Sequence, residues 1–229
     1  MLILRPASER GHFQNDWLDS YHSFSFAEYH DPNYMNFRSL RVINDDRIAP
    51  GGGFAMHGHR DMEIITYVIS GELAHKDSLG NGSVIRRGEI QYMSAGSGIR
   101  HSEYNPSSTQ PVHLLQIWIQ PAQPNLPPNY QQHPFQVDNQ GLTLIAAGDT
   151  SGLIQVHQQI QLYAGMLQAD ESLDYSILAQ RHVWIQGICG IFSVNEQILQ
   201  PGDGIAISQE NMIQIKAQQR SEFLLFDLN

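Results

Sequence analysis

Apolar and polar residues follow one another in short runs cut by Gly, Asn and Asp, and no segment sustains a 3.6-residue helical period. In the first half this pattern predicts strands over 40–44, 54–59, 64–69, 72–76, 84–85, 90–93, around His101 and over 112–119. Ile64-Ile65-Thr66-Tyr67-Val68-Ile69 is rich in β-branched residues, which suit a pleated sheet. Gly80-Asn81-Gly82 reads as a hairpin turn, because both residue types tolerate positive φ. The second half repeats the style over 142–145, 153–157, 162–167, 183–188, 191–194, 204–207 and 223–226. Between the halves, 121–128 holds four prolines, which cannot donate to a sheet ladder and stiffen the chain. The pattern predicts an all-β protein of two antiparallel sandwich or barrel domains, 1–120 and 131–229, with a linker at 121–130.

Composition narrows the function classes. The 229 residues are enough for a real core, and 41% hydrophobic with 16% charged residues is far from a disordered composition. A formal net charge of −10 argues against electrostatic capture of nucleic acid or an anionic membrane. The first residues lack the apolar core of a signal peptide, and no run approaches the length of a membrane span, so the expected location is cytoplasmic. Cys189 is the only cysteine, which excludes an intrachain disulfide and a polythiolate zinc site. Its apolar setting, Ile188-Cys189-Gly190, reads as a small buried hydrophobe.

The candidate chemistry lies in two pairs, His57-Gly58-His59 and His101-Ser102-Glu103. In a strand, residues i and i+2 share a face, so each pair aims two metal-binding groups one way. With 11 His in the chain, each pair alone is expected by chance roughly half a time, so the strand-like surroundings carry the signal. If the two strands face each other, three imidazoles and a carboxylate converge on an open mononuclear metal site. A second carboxylate, Glu63, lies four residues after His59 and competes with Glu103 unless a turn at Arg60-Asp61 breaks the strand parity.

Gly51, His57, His59 and Glu63, then Gly88, Gly96, His101 and Asn105, resemble the two cupin motifs. They depart from the common pattern in Ser94, where proline is usual, and in longer spacings from Glu63 to Gly71 and from Gly96 to His101. Those departures are shared by the pirin branch of the cupins. Trp17-Leu-Asp-Ser20, Phe24-Ser-Phe26, Asp31-Pro32 and Leu40-Arg-Val-Ile-Asn-Asp45 are similar to pirin segments. So are His57-Gly-His-Arg-Asp-Met-Glu63 and Ser94-Ala-Gly-Ser-Gly-Ile-Arg-His-Ser-Glu103. The resemblance covers nearly all of residues 1–120, and the second half fits a degenerate cupin domain without metal.

The resemblance implies a bicupin of two jelly-roll domains, with His57, His59, His101 and Glu103 as metal ligands and Glu63 in a supporting role. It implies one divalent transition metal (Fe, Mn, Co, Ni, Cu or Zn), and an activity like that of bacterial quercetin 2,3-dioxygenases. The substrates would be a flavonol-like aromatic molecule and O₂, with Glu103 as proton acceptor. The alternative it implies is a metal-binding regulatory protein without turnover, acting through a protein partner. The remaining histidines have plainer expectations. His75, His12, His22, His30 and His133 are expected at the surface, and His113 as a hydrogen-bonded core or edge residue. His157 and His182 lack a carboxylate at ligand spacing. Phe54, Met93 and Ile117 are candidate walls for a planar substrate that also suit the core.

Overall fold

A computed structural model describes residues 1–138 and 140–229. Among these described residues the regular elements are β-strands apart from one 3-10 turn at Ala7–Glu9, and no helix is long and apolar enough to cross a membrane. The chain forms two compact units, Gly11–Phe135 with Val156–Gln158, and Met1–Arg10 with Gln136–Gln155 and Gln159–Asn229.

In the first unit a seven-stranded antiparallel sheet runs β12 (Asn129–Pro134), β9 (Glu89–Ser94), β6 (Glu63–Ser70), β11 (Val112–Ile119), β4 (Leu40–Ile48), β3 (Leu18–His22) and β2 (Gly11–Gln14). A four-stranded sheet runs β5 (Gly53–His59), β10 (Ile99–Tyr104), β7 (Glu72–Asp77) and β8 (Gly82–Arg86). Leu18, Ile48, Val68, Val112 and Leu114 of the larger sheet pack in one cluster with Leu73 and Ile85 of the smaller, so the two sheets share a core.

The second unit repeats the plan. Its larger sheet runs β1 (Leu2–Arg5), β20 (Gly204–Ile207), β17 (His182–Cys189), β22 (Ser221–Leu228), β15 (Gln161–Leu167), β13 (Gly141–Ala147) and β14 (Ile154–Gln155). The smaller runs β16 (Ser172–Ser176), β21 (Met212–Ala217), β18 (Phe192–Val194) and β19 (Gln197–Leu199). Phe223, Leu225, Ile185 and Ile205 of one sheet meet Phe192, Ile213 and Ile215 of the other.

The all-β, two-unit architecture is the bicupin that the sequence implies, but its boundaries differ from 1–120 and 131–229. β1 joins the second unit, with Leu2 opposite Ile207. β12 begins inside the expected linker and pairs along β9 in the first unit, Asn129 opposite Ser94. Its sequence, Asn-Tyr-Gln-Gln-His-Pro, carries no hydrophobic alternation, so nothing in the pattern announces a strand there. The expected strand at 153–157 shrinks to Ile154–Gln155, and Val156–Gln158 belong to the other unit.

One rung of the first unit's larger sheet is polar across six strands. His22, Asn44, Gln116, Thr66, Gln91 and Gln132 are successive cross-strand partners from β3 to β12. Gln91 Nε2 donates to Thr66 Oγ1 at 3.1 Å, and Gln116 Nε2 reaches Glu103 of the facing sheet at 2.8 Å. The rung therefore faces inward, toward the candidate site.

Candidate metal centre

β5 and β10 run antiparallel with His57 directly opposite His101 and His59 opposite Ile99. Glu103 then pairs with Phe54, so β5 spends one residue more than β10 between these pairs. That bulge lies beside the site, where bulges re-aim side chains. Within it the His57 Nδ1–H donates to the Ala55 carbonyl at 2.8 Å, which leaves the lone pair on Nε2. The His57 and His101 Nε2 atoms are 3.1 Å apart, and the three rings of His57, His59 and His101 lie at centroid distances of 4.5–4.8 Å. One ligand atom from each of the three falls within 4.8 Å of the others, a spacing that can hold a metal ion.

Electrostatics favour the ligating forms. Burial first, and His57 second, push His59 down to about 4. Burial, then His59, His57 and His75, push His101 down to about 2. These two imidazoles are neutral at physiological pH, the form that binds a cation. Trp118 stands edge-on to His59, with ring centroids 4.9 Å apart.

Glu103 shares a strand face with His101 and is buried. Its Oε2 accepts the Gln116 amide, while its Oε1 is buried with no hydrogen-bond partner. Burial pushes the carboxyl up to about 7, against opposing hydrogen bonds from Gln116 and Gln91. A buried oxygen without a donor costs free energy unless a cation or proton meets it, and three imidazoles beside such a carboxylate fit a divalent transition metal.

Glu63 is committed elsewhere. The Tyr92 hydroxyl donates to it, Ser94 Oγ lies at 2.8 Å and the His157 backbone N–H at 2.9 Å. Asp61 adopts φ 50 between β5 and β6, the turn that breaks the strand parity. His157 is thereby a partner of Glu63 and Tyr92, and His182 bonds Ser208.

Two surface expectations are corrected. His75 is buried on β7 opposite Glu103, stacked on Tyr130 at 4.8 Å, with Nε2 3.3 Å from Asp77. It forms a second possible ligand group with His101 and Glu103. The missed signal is Leu73, His75, Asp77 at period two, an inward row begun by an apolar residue. His22 is buried on β3, its ring nitrogen Nδ1 2.8 Å from Asn44 Oδ1. His12, His30 and His133 are exposed, and His113 pairs with Asp45 at 2.6 Å. Cys189 is half-buried rather than fully enclosed.

The cluster opens on a cavity of about 640 Å³ that His57, His59 and Glu103 line together with Trp17, Phe26, Tyr29, Phe54 and Trp118. Phe26 meets Trp118 edge-on at 5.3 Å, and Trp17 meets Phe54 edge-on at 5.1 Å. Of the three candidate wall residues, Phe54 lines the cavity, whereas Met93 and Ile117 are fully buried in the core.

Two sheet-pair units, one with a histidine cluster opening on an aromatic cavity, define a bicupin with a candidate metal centre. The family model described as Pirin matches residues 4–119, and that described as Quercetinase C-terminal cupin domain matches 144–228. The chain belongs to the pirin family. It is 51% identical over 229 residues to the quercetin 2,3-dioxygenase of Escherichia coli K12, covering 100% of this chain and 99% of that one. It is 39% identical over 233 residues to a pirin-like protein of Caulobacter vibrioides, covering 99% of each. The crystal structure of the bacterial pirin YhhW from Escherichia coli in complex with nickel(II) superposes with a TM-score of 0.96 at 51% identity, covering 100% and 99% of the two chains.

Proposed function

We propose that the chain is a metal-dependent dioxygenase that cleaves a flavonol such as quercetin with O₂, giving a depside and carbon monoxide. His57, His59, His101 and Glu103 would hold one divalent ion. The observation that carries this reading is the convergence of the three imidazoles beside Glu103 at an aromatic cavity. The names of the full-length relatives at 51% identity and the nickel(II) complex of such a relative support it.

When bound, a divalent ion of this kind supplies Lewis acidity that favours the deprotonated form of a substrate hydroxyl. Glu103, beside the imidazoles, is the candidate acceptor of that proton, and Gln116 fixes its orientation. Phe26, Tyr29, Phe54 and Trp118 provide flat apolar walls for a planar aromatic ring and keep water from its faces. The cavity volume lies within the range of about 300–1,000 Å³ usual for small-molecule sites.

The test is metal-reconstituted protein incubated with quercetin in air, following flavonol absorbance together with dissolved oxygen. Equal consumption of flavonol and O₂ is expected. No turnover with Fe, Mn, Co, Ni or Cu would overturn the enzymatic reading in favour of metal-dependent binding or regulation.

A further inference from the structure

The cavity carries a second polar patch that the histidine cluster does not use. Ser20 and His22 on β3 are direct cross-strand partners of Asp46 and Asn44 on β4. All four are buried, and all four line the cavity. The Ser20 hydroxyl donates to Asp46 Oδ1, and His22 Nδ1 pairs with Asn44 Oδ1 at 2.8 Å. Neither contact uses Asp46 Oδ2 or Asn44 Nδ2.

Residues on the same inward rows are apolar where they meet the facing sheet: Leu18, Ile48 and Leu114 all belong to the shared core. Polar side chains at the neighbouring rungs are costly in a dry interior unless something pairs with them. Four together, on the wall of a cavity that Trp17, Phe26, Tyr29, Phe54 and Trp118 also line, make a built hydrogen-bonding surface. Asp46 and Asn44 offer acceptor and donor atoms side by side, which suits a phenolic hydroxyl, itself both donor and acceptor.

We propose that Asp46 and Asn44, braced by Ser20 and His22, form a second substrate anchor that binds a ring hydroxyl while the reacting end of the molecule meets the histidine cluster. The inference rests on the flavonol reading above and adds to it: hydroxylation remote from the reacting carbons sets specificity. Asp46 and Asn44 are then specificity-determining residues, and Ser20 and His22 positioning residues.

The test compares quercetin with 3-hydroxyflavone, which keeps the 3-hydroxyl and 4-oxo groups and lacks the other hydroxyls. With the full-length, metal-loaded chain, KM is expected to be lower for quercetin. Asp46→Ala and Asn44→Ala should each raise KM for quercetin roughly fivefold, the scale of one lost hydrogen bond, and so narrow the difference between the two substrates. Ser20→Ala, which keeps the carboxyl and removes its brace, should shift the ratio the same way by about twofold to threefold. It also covers an Asp46→Ala chain that does not fold. Metal content measured on every variant separates the anchor from the metal centre. Turnover of both flavonols with a KM ratio unchanged in the folded variants would overturn this inference alone. Failure of the wild-type chain to act on either flavonol would overturn the flavonol reading and the anchor with it.

Discussion

Asp46→Asn tests how strongly the protein strains to keep a carboxyl beside the cavity. Burial is the largest influence on Asp46 and raises it from 3.8 to about 7; Ser20 opposes the shift, and the charges of Asp45 and Glu103 add to it. An acid whose folded pKa is raised holds its proton more tightly in the folded chain than in the unfolded one. Its contribution is therefore intact below about pH 4, and is lost progressively as pH rises to about 7. At about 1.4 kcal/mol per pH unit, the gap amounts to about 4 kcal/mol of stability surrendered across that window. Asparagine at this position keeps an acceptor for the Ser20 hydroxyl and never ionises, so it escapes the loss. The assay is urea unfolding of metal-free protein from pH 4 to 8, read by tryptophan fluorescence. The stability difference should move in the variant's favour by about 4 kcal/mol across the series. Glu103 titrates in the same range and its charge acts on Asp46, so the difference reports Asp46 together with its coupling to Glu103. Parallel stability curves, with a difference constant across pH, would refute the reasoning.

Replacing His57 or His101 by Ala should abolish stoichiometric metal binding with the β circular dichroism spectrum unchanged, and elemental analysis showing full occupancy in both variants would sink the ligand assignment. Glu63→Gln should leave metal stoichiometry intact while costing about 1–3 kcal/mol in urea unfolding, because it weakens hydrogen bonds from Tyr92, Ser94 and His157 to a buried carboxylate. Phe223→Ala, in the core of the second unit, should cost about 3–5 kcal/mol by the same measurement.

The legible part of the fold was its hydrophobic grammar. Runs such as 64–69 and 112–119 became β6 and β11 because both faces of those strands are largely buried and leave a clear apolar signature. The two His pairs were legible for a related reason, since i and i+2 must share a face once the strand is granted. What stayed hidden was polar material pointing inward. Ser20, Asn44 and Asp46 carry no apolar signature and His22 is expected at the surface, yet cross-strand pairing folds all four onto the cavity wall. His75 was misjudged for the same reason, with charged Lys76 and Asp77 beside it outweighing Leu73 two residues earlier. β12 and β1 are edge strands recruited by an open sheet border, a property of the assembled sheet that no local pattern records.

The two halves of the histidine cluster stand on unequal footing. β10 is hydrogen-bonded on both sides, to β5 and to β7, whereas β5 is the outermost strand of its sheet and is held along one side only. His101 and Glu103 thus sit on a strand fastened along both edges, while His57 and His59 ride on a strip fastened along a single edge. An ion gripped by both would act as a clasp fastening that strip down. Its exchange with solvent would be governed by the zipping of a single strand pair, leaving the barrel behind it undisturbed.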